Sequence, residues 1–280
     1  MGDEESGKDA GSSNINATID AVTGLVKAVP VYQDVVQPAA KELGKSFQTV
    51  ARAINVALIP LKSIIWSFEK IETLFIPKVE ERLKDVPPED IITPKANVAG
   101  PALEALRYVG DEESLSDMYA NLLASAMDRK TAGNAHPAFV EIIKQLTPDE
   151  ARLIAYFIGE VPLPLITVRS QNRHTHDGVD FAENVSLFAE LVRVDVPNLV
   201  PSYLDNLARL GLIEILKTYA YTDSEFYRPL ENSLIVLQEK VMIELDSDSR
   251  CVIKRGSVRI THFGQQFGDV CVTSKSKSRA

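Results

Sequence analysis

The chain has few of the residues that usually announce chemistry: two cysteines, four histidines and one tryptophan in 280 residues. It also has no apolar run of membrane-spanning length. The strongest candidate, between Arg52 and Lys62, holds nine uncharged residues that include Asn55 and Pro60, whereas a helix needs roughly 20 to cross a bilayer. An amphipathic core helix is the expectation there. Cys251 and Cys271 match neither a disulfide framework nor a zinc-ligand spacing, so a reducing cytoplasm is expected. The opening MGDEESGKDAGSSN lacks the basic start and apolar core of a secretory signal and has the polar composition of a disordered leader. There is no G-x-x-x-x-G-K-[ST] phosphate loop, no G-x-S-x-G elbow and no H-E-x-x-H pair. Positive charge is also in deficit. A net charge of −9 disfavours generic adhesion to nucleic acid or anionic lipid, because the long-range field repels polyanions.

What the chain does have is helical periodicity. Leu43, Phe47, Val50, Ile54, Leu58, Leu61, Ile65, Phe68 and Phe75 recur mostly at three and four positions. That pattern describes a long helix with a sticky seam that wants a partner helix. Pro60 predicts a kink or break within it, and Trp66 sits beside the seam, placed to fill a core gap, the favoured role, or to anchor a partner or a membrane interface. After the breaks at Val86-Pro87-Pro88 and Thr93-Pro94, the residues Leu115, Met118, Tyr119, Leu122, Leu123 and Ala126 mark the buried face of another helix. Ser114 and Asp117 form a capping-box pattern at its start, and its end is predicted near Asp128.

PLKSIIWSFEKI, then PKANVAGPALEALRYVGDEESLSDMYANLLASAMD, preceded by GLVKAVPVYQDVVQPAAKELGK, resembles the bacterial abortive infection alpha family over about Ile19 to Cys271. The resemblance implies a setting in phage defence. It carries over no catalytic residue.

Thr147-Pro148-Asp149-Glu150 is a strong helix start, with a cap, a proline at the first helical position and a glutamate three residues past the cap. A domain boundary is placed just before it. Beyond it VPLPLITV reads as a strand, NVSLFAELV and PSYLDNLARL as helices, Gly211 as a stop and LIEIL as a strand. A helix is expected over Leu234 to Leu245. RCVIKRGSVRI reads as a hairpin turning at Arg255-Gly256, and Thr261 caps a last helix through Val272. This order resembles a winged helix-turn-helix unit.

Three constellations are weighed for function. Arg250, Lys254, Arg255 and Arg259 form a basic run with no acid between them, a candidate phosphate contact, although solvated charge is the commoner meaning of such runs. His174, His176 and Asp177 are the only metal-like cluster, but they sit in a polar loop without a third distant ligand, so no metal and no cofactor is expected. The proposed recognition helix, Asn198 to Leu210, carries one basic residue, Arg209, too few for base readout.

The sequence therefore predicts a mainly α protein. Residues 1–13 are a leader, 14–146 a helical bundle domain with long amphipathic helices, 147–272 a winged-helix-like α+β domain and 273–280 a basic tail. A non-enzymatic, cytoplasmic defence role through a protein partner or self-association is favoured, with Phe47, Ile54, Trp66 and the four basic residues as interaction candidates. A membrane-perturbing role of the N-terminal helices after rearrangement, and weak nonspecific nucleic-acid binding through the basic run, are the alternatives.

Overall fold

The computed structural model describes residues 50–62, 75–109, 112–159 and 163–273. Phe47 and Trp66 lie outside them, as do the leader and the tail after residue 273. The helical half comprises α1 (Val50–Lys62), α2 (Ile76–Leu83), α3 (Ala96–Val109), α4 (Glu113–Met127), α5 (Ala138–Ile143) and α6 (Pro148–Gly159). Then come β1 (Pro164–Asn172), β2 (Gly178–Val185), α7 (Phe188–Val192), α8 (Val200–Arg209), β3 (Ile213–Leu216), α9 (Arg228–Glu231), α10 (Leu234–Glu244), β4 (Ser249–Ile260) and α11 (His262–Phe267). The last helix widens into a π-helical turn over Gly268–Val272.

The chain packs around α4. Its faces are buried on nearly every side, from Leu115 to Met127, against α2, α3, α5, α6 and the π-helical turn. Small residues explain how: Ser116, Ala120, Ala124, Ser125 and Ala126 let neighbouring backbones approach, while Tyr119, Leu122, Leu123 and Met127 fill the gaps. Each fully buried leucine contributes about 1.5–3 kcal/mol. The polar members are answered. Asn121 donates to the Cys271 carbonyl at 2.8 Å and accepts from Arg82, and Ser125 donates to the Val270 carbonyl at 3.4 Å. These bonds hold the C-terminal turn against the first half of the chain. One hydrophobic cluster accordingly runs from Ile54 to Cys271, across the boundary placed before Thr147.

Several local expectations are met. Thr147 and Glu150 form a reciprocal capping box: the Thr147 N–H donates to Glu150 Oε2 at 2.7 Å and the Glu150 N–H donates to Thr147 Oγ1 at 3.2 Å. Gly211 ends α8 with φ +74°, a conformation a side chain would strain. Thr261 Oγ1 accepts from the Gly264 N–H at 2.8 Å, and α10 forms where expected.

Others are corrected. The capping box at Ser114 does not form, because α4 begins at Glu113 with Glu112 at the cap position and no side-chain cap bond, and Asp117 pairs instead with Lys78, at 2.9 Å, and Arg82, at 3.2 Å, on α2. Of the kink or break expected at Pro60, the break does not occur, since α1 continues to Lys62, and Phe75, placed on the same seam, stands at the cap of a separate helix. Ile54, an interaction candidate, is fully buried within the chain's own core. NVSLFAELV splits between the end of β2 and the short α7. The strand β2 carries little apolar signal toward the core, because Val179 and Phe181 face solvent with Asp180 between them.

The largest correction concerns RCVIKRGSVRI, which is one continuous strand rather than a hairpin. The sheet is antiparallel with order β2-β1-β4-β3. Along its first part β4 pairs with β1, from Ser249 opposite Asn172 to Ser257 opposite Pro164. From Ser257 to Ile260 it pairs on its other edge with β3. Gly256 falls where the β3 side begins, and a Cβ there would meet the Leu216 carbonyl oxygen at 2.7 Å. The glycine is therefore a close-approach position, not a turn.

Candidate functional site

Antiparallel pairing carries acids to the basic run that the sequence could not show. Lys254 Nζ lies 3.0 Å from Asp180 of β2, a carboxylate that also accepts from Arg169 at 2.8 Å. These two donors, Arg169 first, hold the Asp180 pKa below the ordinary carboxylate value. Arg255 pairs with Glu231 of α9 at 2.7 Å and lies over the Tyr227 ring, 5.1 Å from its centroid. Arg259 pairs with Glu214 of β3, and Arg250 donates to Gln171 Oε1 at 2.7 Å. Three of the four cations thus meet a carboxylate on a neighbouring element, which weakens what they offer to phosphate.

His174 and His176 fall in the β1–β2 turn. Its backbone is organised by Asn172, whose Oδ1 accepts from the N–H groups of His174 and Thr175 at 2.8 and 3.0 Å. His174 Nε2 stands 3.7 Å from Asp248 Oδ1, both side chains exposed. Among the described residues, no three His, Cys, Asp or Glu side chains come together as metal ligands. Cys271 is wholly buried and burial pushes its thiol well up. The half-buried Cys251 is raised by burial and then by Glu244, so both thiols are disfavoured as thiolate nucleophiles.

The helix proposed for base readout commits Asn206 and Arg209 to neighbouring segments of its own chain. On α8, Asn206 donates to Glu150 Oε1 at 2.7 Å and to the Gln145 carbonyl at 3.1 Å. Arg209 donates to Gln145 Oε1 at 3.0 Å. Beside them the buried Asp149 accepts from the Asp195 and Val196 N–H groups at 2.9 and 3.1 Å, from the Tyr203 hydroxyl at 3.1 Å and from Arg152. The polar residues here join α6 to α8 and to the segment before it.

A surface that sequence reasoning did not single out lies on α10, in the long connection between β3 and β4. Val236 and Ile243, one heptad apart, turn inward to a second core with Ile166, Val168, Val185, Tyr227 and Leu230. Tyr227 fastens this connection to the sheet: its hydroxyl donates to the Gly256 carbonyl at 2.8 Å and accepts from the Tyr221 N–H at 2.9 Å. The outward face is also apolar. Leu234, Ile235, Leu237, Val241, Met242 and Leu245 remain between 47% and 75% exposed. A helix that is apolar on both faces and covered on one asks for a second cover. The signal was available in SLIVLQEKVMIEL, whose apolar positions exceed the single stripe a surface helix needs.

Fold and surface together define a helix-rich protein with a C-terminal four-stranded antiparallel sheet and an apolar helix presented on it. Among the described residues, no helix is long and apolar enough to cross a membrane. The sequence profile of the family described as Abortive infection alpha matches residues 67–271, and the chain belongs to that family. No curated protein matches. Among solved structures the chain is similar to an uncharacterized protein from the hydrocarbon-degrading marine bacterium Alcanivorax borkumensis SK2. That similarity is 20% in identity, with a TM-score of 0.33, over 52% of this chain and 96% of the other, and it carries no argument.

Proposed function

We propose that this protein is a non-enzymatic phage-defence protein that acts in the cytoplasm through protein contact, with α10 as the contact surface. The observation that carries the reading is the exposed apolar face of α10, six large aliphatic or Met side chains on one short helix and its C-cap Leu245. Family membership supplies the defence setting. The order α6, β1, α7, α8, β3, β4, interrupted by the extra strand β2 after β1 and with β1 and β3 flanking β4, supports reading residues 148–260 as an elaborated winged-helix unit. In that reading the wing is the whole β3–β4 connection, enlarged to hold α9 and α10, and it presents Leu, Ile, Val and Met where a DNA-reading wing presents cations. The bonds that Asn206 and Arg209 of α8 make to Glu150 and Gln145 favour the same conclusion. The membrane alternative rests on N-terminal helices that lie mostly outside the described residues.

The test is a phage challenge of cells expressing the wild type or Leu237→Asp with Val241→Asp. The reading expects the variant to keep its fold, judged by circular dichroism and melting temperature, and to lose protection and infection-dependent growth arrest. Undiminished protection by the folded variant would overturn α10 as the working surface.

A further inference from the structure

Resting on the reading of α10 as a contact surface, we infer that its partner is a second copy of this chain, bound through an antiparallel α10–α10 pair about a two-fold axis. Leu237, Val241 and Leu245 step by four along the exposed face, with Leu234 and Met242 beside them, the ridge spacing by which helices interdigitate. With Val241 at the axis, Leu237 of one copy meets Leu245 of the other, so one patch complements itself, as a two-fold interface requires. Lys240 and Glu244 lie one turn apart on the same flank, and an antiparallel two-fold brings that flank against its own copy, setting each Lys240 about 3 Å along the axis from both the opposing Glu244 and the opposing Lys240, so the flank is net neutral. Antiparallel helix dipoles also attract.

Six side chains exposed by half to three quarters offer at most roughly 700 Å² per copy at about 200 Å² per residue, an upper bound that lies just under the roughly 800 Å² per partner of a standard interface. An anionic lipid surface fits less well, because Glu239, Glu244, Asp246 and Asp248 surround the patch and the net charge is −9.

Light scattering after size exclusion on the full chain, of 30.8 kDa, is expected to give twice that mass. Leu237→Asp with Val241→Asp should give a monomer with unchanged circular dichroism, its self-association weakened by at least about 100-fold, since each interface would bury four unpaired carboxylates. In a Cys251→Ser background, Val241→Cys should form an interchain disulfide under mild oxidation, because the axis sets the two thiols side by side, while Lys240→Cys should not. A monomeric wild type would overturn the inference, as would a variant that stays dimeric or a Val241→Cys chain that fails to cross-link as a dimer. These outcomes separate from the broader reading: a monomeric wild type whose protection still depends on Leu237 and Val241 sinks self-association and keeps protein contact with another partner. Wild type that is monomeric and binds vesicles of zwitterionic lipid through the same residues sinks both.

Discussion

Asp149 offers the sharpest test of how the two halves of the chain are joined. It sits at the first turn of α6, almost fully buried, and accepts from two backbone N–H groups, the Tyr203 hydroxyl and Arg152. Removing the carboxylate leaves those donors without their acceptor, and a buried unsatisfied polar group costs about 1–3 kcal/mol. Some of the loop can recover water, because Asp195 is exposed, so Asp149→Ala should destabilise by about 3–5 kcal/mol. Asp149→Asn keeps one acceptor oxygen but turns an NH₂ toward donors, and should cost about 1.5–3 kcal/mol. Both are large against the 5–15 kcal/mol typical of a whole domain. The pH dependence has a definite sign. Burial works against ionisation of Asp149, but its backbone, Arg152 and Tyr203 donors outweigh it and lower the folded pKa. A lowered pKa gives stabilisation that is complete above the unfolded value, about 3.9, and is lost as pH falls through the folded one. Urea unfolding followed by circular dichroism at pH 7 and pH 3 should therefore show wild type and Asp149→Asn converging in acid. A loss under about 1 kcal/mol for Asp149→Ala at pH 7 would refute the argument.

Other consequences are equally direct. Gly264→Ala should lower the melting temperature and cost several kcal/mol, since its Cβ would lie 1.9 Å from the Leu212 carbonyl oxygen, a backbone atom that cannot swing aside; a neutral effect in thermal unfolding would mean that the α11–β3 approach is looser than described. In thiol titration with a chromogenic disulfide at pH 8, Cys251 should react slowly in the native protein and Cys271 only after denaturant, because its side chain is wholly buried. Gel shifts with nonspecific DNA and RNA at low salt should show weak binding at most, gone near physiological salt, because Asp180, Glu231 and Glu214 already answer Lys254, Arg255 and Arg259. Tight binding abolished by Lys254→Glu with Arg255→Glu would count against that reading.

By itself the sequence determined what is decided within a turn or two of the chain. Thr147 with Glu150, Gly211 and Thr261 act on backbone groups three or four residues away, so the start of α6, the end of α8 and the start of α11 are legible as strings. The buried face of α4 was legible for a similar reason, since periodicity survives whatever the partner. Only the tertiary structure decided the rest, because those features depend on neighbours distant in sequence. Arg255-Gly256 has the composition of a turn, and it became mid-strand because β1 and β3 both pair with β4 around it. Of four cations without an acid between them, three became paired because β2, α9 and β3 bring Asp180, Glu231 and Glu214 to Lys254, Arg255 and Arg259. Asp149 looked like an ordinary first-turn acid until a segment more than forty residues away aimed its donors at it. The apolar excess of α10 was visible in the sequence, but which of its two faces would be left uncovered depended on where the sheet and Tyr227 hold it.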